Sequence, residues 1–164
     1  MIYGNLRSLS NQSYIDIKVQ NHCMQSLEKY VNTVYRIIGA AMEVHGELKH
    51  GLLEPVYQEA LSLELSMQGI DNEREQLVPI FYKGIQLDKF YKIDILVKND
   101  IIVELKSAKE IIPEHRLQLF NYLKLTKKPL GLLINFGEPH LHSERYAFDE
   151  EANECFLVDK NLNG

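Results

Sequence analysis

Two runs rich in β-branched residues, 90–97 and 101–106, flank the turn cluster Lys98-Asn99-Asp100. This pattern predicts a β-hairpin, and its charges restrict how the hairpin pairs. Side chains alternate between faces along a strand. Ile93, Ile95 and Val97 are expected on one face with Ile101, Val103 and Leu105; Lys92, Asp94 and Leu96 on the other with Ile102, Glu104 and Lys106. A two-residue loop at Asn99-Asp100 would put Asp94 and Glu104 on opposite faces and bury one of them. A three-residue loop, 98–100, opposes Val97 to Ile101, Leu96 to Ile102, Asp94 to Glu104 and Lys92 to Lys106, and keeps the core face apolar. Two carboxylates then face each other with Cβ atoms roughly 5 Å apart, a destabilising pair unless a cation, a proton or solvent offsets it.

A divalent metal is the most productive of these answers. Magnesium is held by one or two carboxylates together with waters and substrate phosphates. Asp94 and Glu104 are the expected ligands, and the carbonyl of Leu105, between Glu104 and Lys106, can add a further oxygen. Lys106 shares the face of Glu104, where an ammonium can position an attacking water or neutralise charge growing on a phosphate. The bland alternative is a solvated hairpin face with lysines balancing acids, since polar-outward alternation is ordinary.

The rest of the chain supplies a mixed framework. Apolar residues recur at helical spacing over 26–47, including Val34, Ile37, Ile38 and His45. A second helix is expected after Glu54, with Pro55 at its start and Gly69 as its stop. Strands are expected at 77–82, 85–87, 90–97 and 101–106, a helix over 113–126, a buried strand at 130–136 and a last edge strand at 145–148. The order α, α, β, β, β, α, β describes an α/β fold with helices on the faces of a mixed sheet. Residues 1–23 read as a polar tail or an upstream extension, with Met24 an alternative start, and 24–160 as a single domain. No stretch approaches the roughly 20 apolar residues of a membrane span, and the first residues lack a secretory pattern. Cys23 and Cys155 form no motif, so a reducing cytoplasm is the expected compartment. A net charge of −5 speaks against a protein that coats nucleic acid non-specifically.

Asp94, nine intervening residues, then Glu104-Leu105-Lys106 resembles the D-x(n)-(D/E)-x-K signature of the PD-(D/E)XK nuclease superfamily. Gly51-Leu52-Leu53-Glu54-Pro55-Val56-Tyr57 is similar to the G-x-x-E-x-x-Y motif of a bacterial family within it, the GxxExxY family. The likeness runs over residues 34 to 136, taking in Glu43-Val44-His45, Tyr91, Gln118, Asn121-Tyr122-Leu123 and the stretch 131–137. Lys49-His50 stands where relatives usually carry glycine and proline, and Pro55 lies inside the motif. The resemblance implies a restriction-endonuclease-like core, αβββαβ, with Glu54 as a third acidic residue supporting the metal and Gln118 on the following helix facing the site. His115, Gln118 and Tyr122 are spaced to share that helical face.

The expected function is therefore Mg- or Mn-dependent hydrolysis of phosphodiester bonds in DNA or RNA, with Asp94, Glu104, Lys106, Glu54 and Gln118 as the catalytic set. The alternative is an idle nuclease fold that binds protein or nucleic acid; a homodimer or an unidentified protein is the further candidate partner. Several residues have ordinary structural readings. Glu54 suits a helix N-terminus. His45 reads as a hydrogen-bonded core residue, Tyr57 as packing and Gln118 as surface. Lys124, Lys127 and Lys128 suit a helix C-terminus, and His140 and His142 are too few for a metal site.

Overall fold

The computed structural model describes residues 26–164; the expected tail and Met24 lie outside the described residues. A 3-10 turn, Glu28–Tyr30, leads into α1 (Val31–Leu48), followed by α2 (Glu54–Met67), β1 (Asn72–Tyr82), β2 (Ile85–Val97), β3 (Ile101–Lys106), α3 (Pro113–Thr126), β4 (Leu130–Asn135), β5 (His142–Asp149) and β6 (Glu154–Leu157). The six strands form one sheet in chain order, β1 through β6. β3 and β4 pair in parallel, and the other neighbours pair antiparallel. A parallel pair needs a crossover connection, and α3 is that crossover. The expected α/β architecture, a mixed sheet flanked by helices, is the one observed.

The helices divide the apolar residues into two layers. Ile37, Ala41 and Val44 of α1 and Tyr57, Leu61 and Leu65 of α2 pack with Ile95, Val97, Ile101, Val103 and Leu105 on one side of the sheet. Leu119, Tyr122 and Leu123 of α3 cover Ile93, Leu96, Ile102 and Leu133 on the other. Each such fully buried side chain contributes about 1.5–3 kcal/mol. Both faces of β3 are consequently covered, and all six of its residues are buried. α2 ends in a Schellman motif: Ile70 N–H donates to Leu65 O at 2.8 Å and Gly69 N–H to Ser66 O at 2.9 Å.

Three expectations are corrected. β1 begins at Asn72, because the polar run 72–76 pairs with the end of β2 despite its lack of apolar alternation. Residues 85–97 form one strand instead of two; a register shift between Pro79 and Phe81 absorbs the irregularity in the partner. The strand expected at 145–148 extends over His142–Asp149 and is interior, because the short β6 covers its outer edge. Among the described residues no helix is long and apolar enough to cross a membrane.

Candidate active site

The β2–β3 hairpin closes through residues 98–100, with Val97 opposite Ile101, Leu96 opposite Ile102 and Ile95 opposite Val103. Lys98 and Asn99 adopt left-handed φ values of 50° and 59°, and Asp100 N–H donates to Val97 O at 3.1 Å. The expected register thus holds for these pairs, and the ladder then stops. Asp94 and Lys92 do not continue it; Lys92 stands opposite Leu77 and pairs with Glu75 at 2.8 Å. The cause lies on β1. Glu75 takes φ 57°, and the ladder there passes from Arg74–Ile95 to Gln76–Ile93 without a Glu75–Asp94 step. Alternation slips at this point: Ile93 packs with Leu96 and Ile102 in the α3-side layer, not with Ile95 and Val97 as expected.

Asp94 sits in this break. Its carboxylate Oδ2 accepts Leu105 N–H at 2.8 Å, in place of the backbone carbonyl that a continued ladder would supply. Its own carbonyl accepts Gln58 Nε2–H at 2.9 Å. Since N–H and C=O of one residue lie on the same edge of an antiparallel strand, the Leu105 carbonyl opens on the same gap. Burial pushes the Asp94 carboxyl up, against the opposing effects of the Leu105 N–H, Lys106 and Lys92.

Glu104 is the least accessible member of the group, 0% exposed, with Lys106 at 8%. Lys106 Nζ donates to Glu104 Oε1 at 2.7 Å, while Glu104 Oε2 is buried with no hydrogen-bond partner. An unsatisfied buried acceptor costs about 1–3 kcal/mol, more when charged. Burial, reinforced by Asp94, pushes the Glu104 carboxyl up to about 8. Burial works against the Lys106 charge, but Glu104, Glu54 and Asp94 outweigh it and hold the ammonium above its ordinary range. The solvated-face reading of this hairpin therefore does not describe the folded chain.

Glu54 is the first residue of α2, following Leu53 in extended conformation, with Pro55 next. It is half-buried; burial raises its carboxyl, Lys106 lowers it and Asp94 raises it, which places it in the field of both. The motif around it has a mechanical basis. Gly51 adopts φ 106°, a region L side chains rarely enter. Tyr57 is fully buried, stacks on Phe136 at 4.7 Å, donates its hydroxyl to Lys49 O at 2.7 Å and accepts Leu52 N–H at 3.1 Å. It packs as expected, and it also staples the loop that presents Glu54. Ser107, just after Lys106, donates its hydroxyl to Leu52 O at 2.6 Å and ties the two loops together.

The α3 face closes the other side. His115 is lowered by burial and then by Lys106; Tyr122 is pushed up to about 12 by burial, with Glu104 and Asp94 adding. Gln118 Nε2 donates to Tyr122 OH at 2.9 Å. Tyr122 thus lies in the field of the acids and His115 in that of Lys106, while Gln118 is tied to Tyr122. His45 has its structural role: Nε2 donates to Glu138 O at 2.9 Å. Lys128 bonds Asn99 O at 2.5 Å, and Lys127 lies over the Phe148 ring.

Sequence reasoning missed Gln58, Ser107 and Asn135. Fully buried Asn135 accepts Ala108 N–H at 3.0 Å and donates to Ala108 O at 2.9 Å, fixing the chain that leaves Lys106. At Gly137 a Cβ would lie 2.3 Å from Ala108 O, so only glycine fits beside this loop. No local pattern announces such contacts, which join residues about 27 apart in sequence.

Residues 31–146 match a family model described as PD-(D/E)XK nuclease superfamily. The chain belongs to the PD-(D/E)XK nuclease superfamily. Its sheet and helices are those of a restriction-endonuclease-like fold. Among solved structures it is similar to a protein titled "Crystal structure of SSO0001", at 20% identity and TM-score 0.48, over 60% of this chain and 52% of that one. The chain thus spans about half the length of that protein. No curated protein matches it. PD-(D/E)XK nucleases typically use divalent metals. Among the described residues no three of His, Cys, Asp and Glu converge closely enough to form a complete metal cage. The residues do fit a cation completed from outside the protein. The partnerless Glu104 Oε2, the half-buried Asp94 and the Leu105 carbonyl are hard oxygen donors on the neighbouring strands β2 and β3.

Proposed function

We infer that this PD-(D/E)XK domain hydrolyses phosphodiester bonds in DNA or RNA, and that within the superfamily it belongs to the GxxExxY family. The observation that carries the reading is the buried, partnerless Glu104 Oε2 beside Lys106 and Asp94. A merely structural pair would be expected to satisfy both oxygens, as buried polar groups generally do. Residues 24–160 act as one domain in this reading.

Asp94 and Glu104 would hold Mg²⁺ or Mn²⁺, with the Leu105 carbonyl adding an oxygen and Glu54 supporting the ion directly or through water. When bound, such a cation acidifies water and offsets charge on the phosphate. The protein's own groups do the rest. Lys106, held by Glu104 Oε1, keeps its ammonium charged and aims a donor at the attacking water or at the phosphoryl oxygen. Gln118, anchored on the Tyr122 hydroxyl, orients substrate or water from the α3 side. The loop stapled by Tyr57 fixes Glu54 against Lys106.

Calorimetric titration of Mn²⁺ into the wild type and Asp94→Ala, alongside cleavage of labelled DNA and RNA, tests this. Binding and cleavage that both vanish in Asp94→Ala support the mechanism. Full activity in that variant refutes it. A wild type that neither binds Mn²⁺ nor cuts any substrate favours the idle interaction module instead.

A further inference from the structure

The hairpin formed by the outer parts of β1 and β2 extends past the helices, and every residue from Phe81 to Phe90 is exposed. It carries Phe81, Tyr82, Phe90 and Tyr91 at 58%, 62%, 57% and 39% exposure. Four exposed aromatics on one short hairpin are a candidate interaction surface. The pairs Tyr82–Ile85 and Val78–Tyr91, with alternation along β1, put Tyr82 and Tyr91 on one face of the arm. This face adjoins the α3 side of the sheet: Tyr91 meets Tyr122 edge-on at 5.5 Å, and Tyr122 lies in the field of Glu104 and Asp94. An aromatic track therefore runs from the arm to the candidate active site.

Charge distinguishes the partner. Residues 77–92 hold three lysines and one aspartate in a chain of net charge −5. Lys92 is paired with Glu75, Lys83 lies over the Tyr82 ring at 5.5 Å, and Lys89 is exposed on the same arm. Interleaved aromatic and basic groups bind single strands, bases stacking on rings and phosphates meeting cations. A second copy added edge-to-edge at β1 fits less well. Pro79 lacks an N–H and Glu75 takes a left-handed φ, both features that blunt a sheet edge.

We propose that the β1–β2 arm is a docking surface for unpaired nucleic acid, with Tyr82 and Tyr91 stacking bases, Lys89 and Lys83 meeting phosphates, and the strand led toward Asp94 and Glu104. The proposal rests on the reading of that cluster as the cleavage site, but binding is measured separately from cleavage. In the Asp94→Ala background, fluorescence anisotropy is recorded with labelled dT20 and with a 20-base-pair DNA duplex. The expected result is tighter binding of dT20 than of duplex. Binding of dT20 should fall at least about tenfold in Tyr82→Ala/Tyr91→Ala, the scale of a lost stacking contact, and recover in Tyr82→Phe/Tyr91→Phe. Lys83→Gln/Lys89→Gln should flatten the salt dependence. Circular dichroism melts, with exposed Leu63→Ala on α2 as the off-arm control, exclude a folding defect. Equal affinity of the double alanine variant, or duplex binding as tight as dT20, overturns the proposal. So does an arm variant that only dissociates a dimer on gel filtration. A chain that binds dT20 through the arm yet cleaves nothing upholds the arm and sinks the cleavage reading.

Discussion

Two charged clusters flank α3, and they are built on opposite principles. In one, Arg116 holds Glu144 through both oxygens, at 2.7 and 2.6 Å, and Tyr146 OH donates to the same carboxylate at 2.6 Å. His142 approaches at 3.3 Å. The Arg116 bonds draw the Glu144 carboxyl down to about 2. In the other, Glu104 has one oxygen on Lys106 and one with no partner, and its carboxyl is driven up to about 8. Geometry separates them. Glu144 sits near the surface with donors arrayed round it, whereas Glu104 is sealed in a central strand facing other acids. A satisfied carboxylate pins elements together; the buried Glu104 oxygen without a partner adds no such tie.

The largest effect that would break this contrast is on catalysis. Asp94→Ala and Lys106→Ala are each expected to lower metal-dependent cleavage by roughly 10²–10³-fold or more, with folding retained by circular dichroism. Arg116→Ala should cut at the wild-type rate. Loss of cleavage in Arg116→Ala equal to that in Asp94→Ala would erase the distinction between the clusters.

The pH dependence of stability sharpens it, because the two carboxylates work in opposite directions. Glu104 is raised on folding, so its contribution is fully present below about 4.5 and declines as pH climbs through about 8. Glu144 is lowered, so its contribution is present above about 4.5 and disappears as pH falls toward 2. In metal-free buffer, Glu104→Gln should raise Tm at pH 9 by several degrees and change it little at pH 5. Glu144→Gln should cost stability at pH 7 and little near pH 2. Thermal melts across pH measure both, and a Glu104→Gln curve parallel to wild type would contradict the assigned burial effect.

Smaller effects follow. Arg116→Ala should lower Tm by roughly 2–5 °C at neutral pH, since this bidentate pair is partly exposed. Tyr57→Phe keeps the stack on Phe136 but leaves Leu52 N–H and Lys49 O without their hydroxyl partner. It should cost about 1 kcal/mol and reduce cleavage by less than about tenfold, read from denaturant melts and from initial rates. A Tyr57→Phe enzyme that loses cleavage as completely as Asp94→Ala would mean that Tyr57 does more than hold the loop.

Much of this was legible in the chain. Helical spacing located α1, α2 and α3, β-branched runs located β2 and β3, and an almost wholly apolar run located β4, because local patterning sets which face is apolar. The loop at 98–100 and the pairs 97–101 and 96–102 followed from keeping one hairpin face apolar. The grouping of His115, Gln118 and Tyr122 followed from helical geometry.

The tertiary structure decided the rest. Alternation by itself continues past Ile95, and a left-handed Glu75 on the partner strand interrupts it; that event on β1 turns Asp94 into the plane of the sheet toward Leu105 N–H. Whether Glu104 meets water or protein depends on the cover supplied by α3 and β4, which are remote in sequence. The chain therefore names its acids and its lysine, because residue identity and period are local properties. Burial, charge state and the partnerless oxygen of Glu104 are properties of distant segments brought together, and no window of sequence contains them.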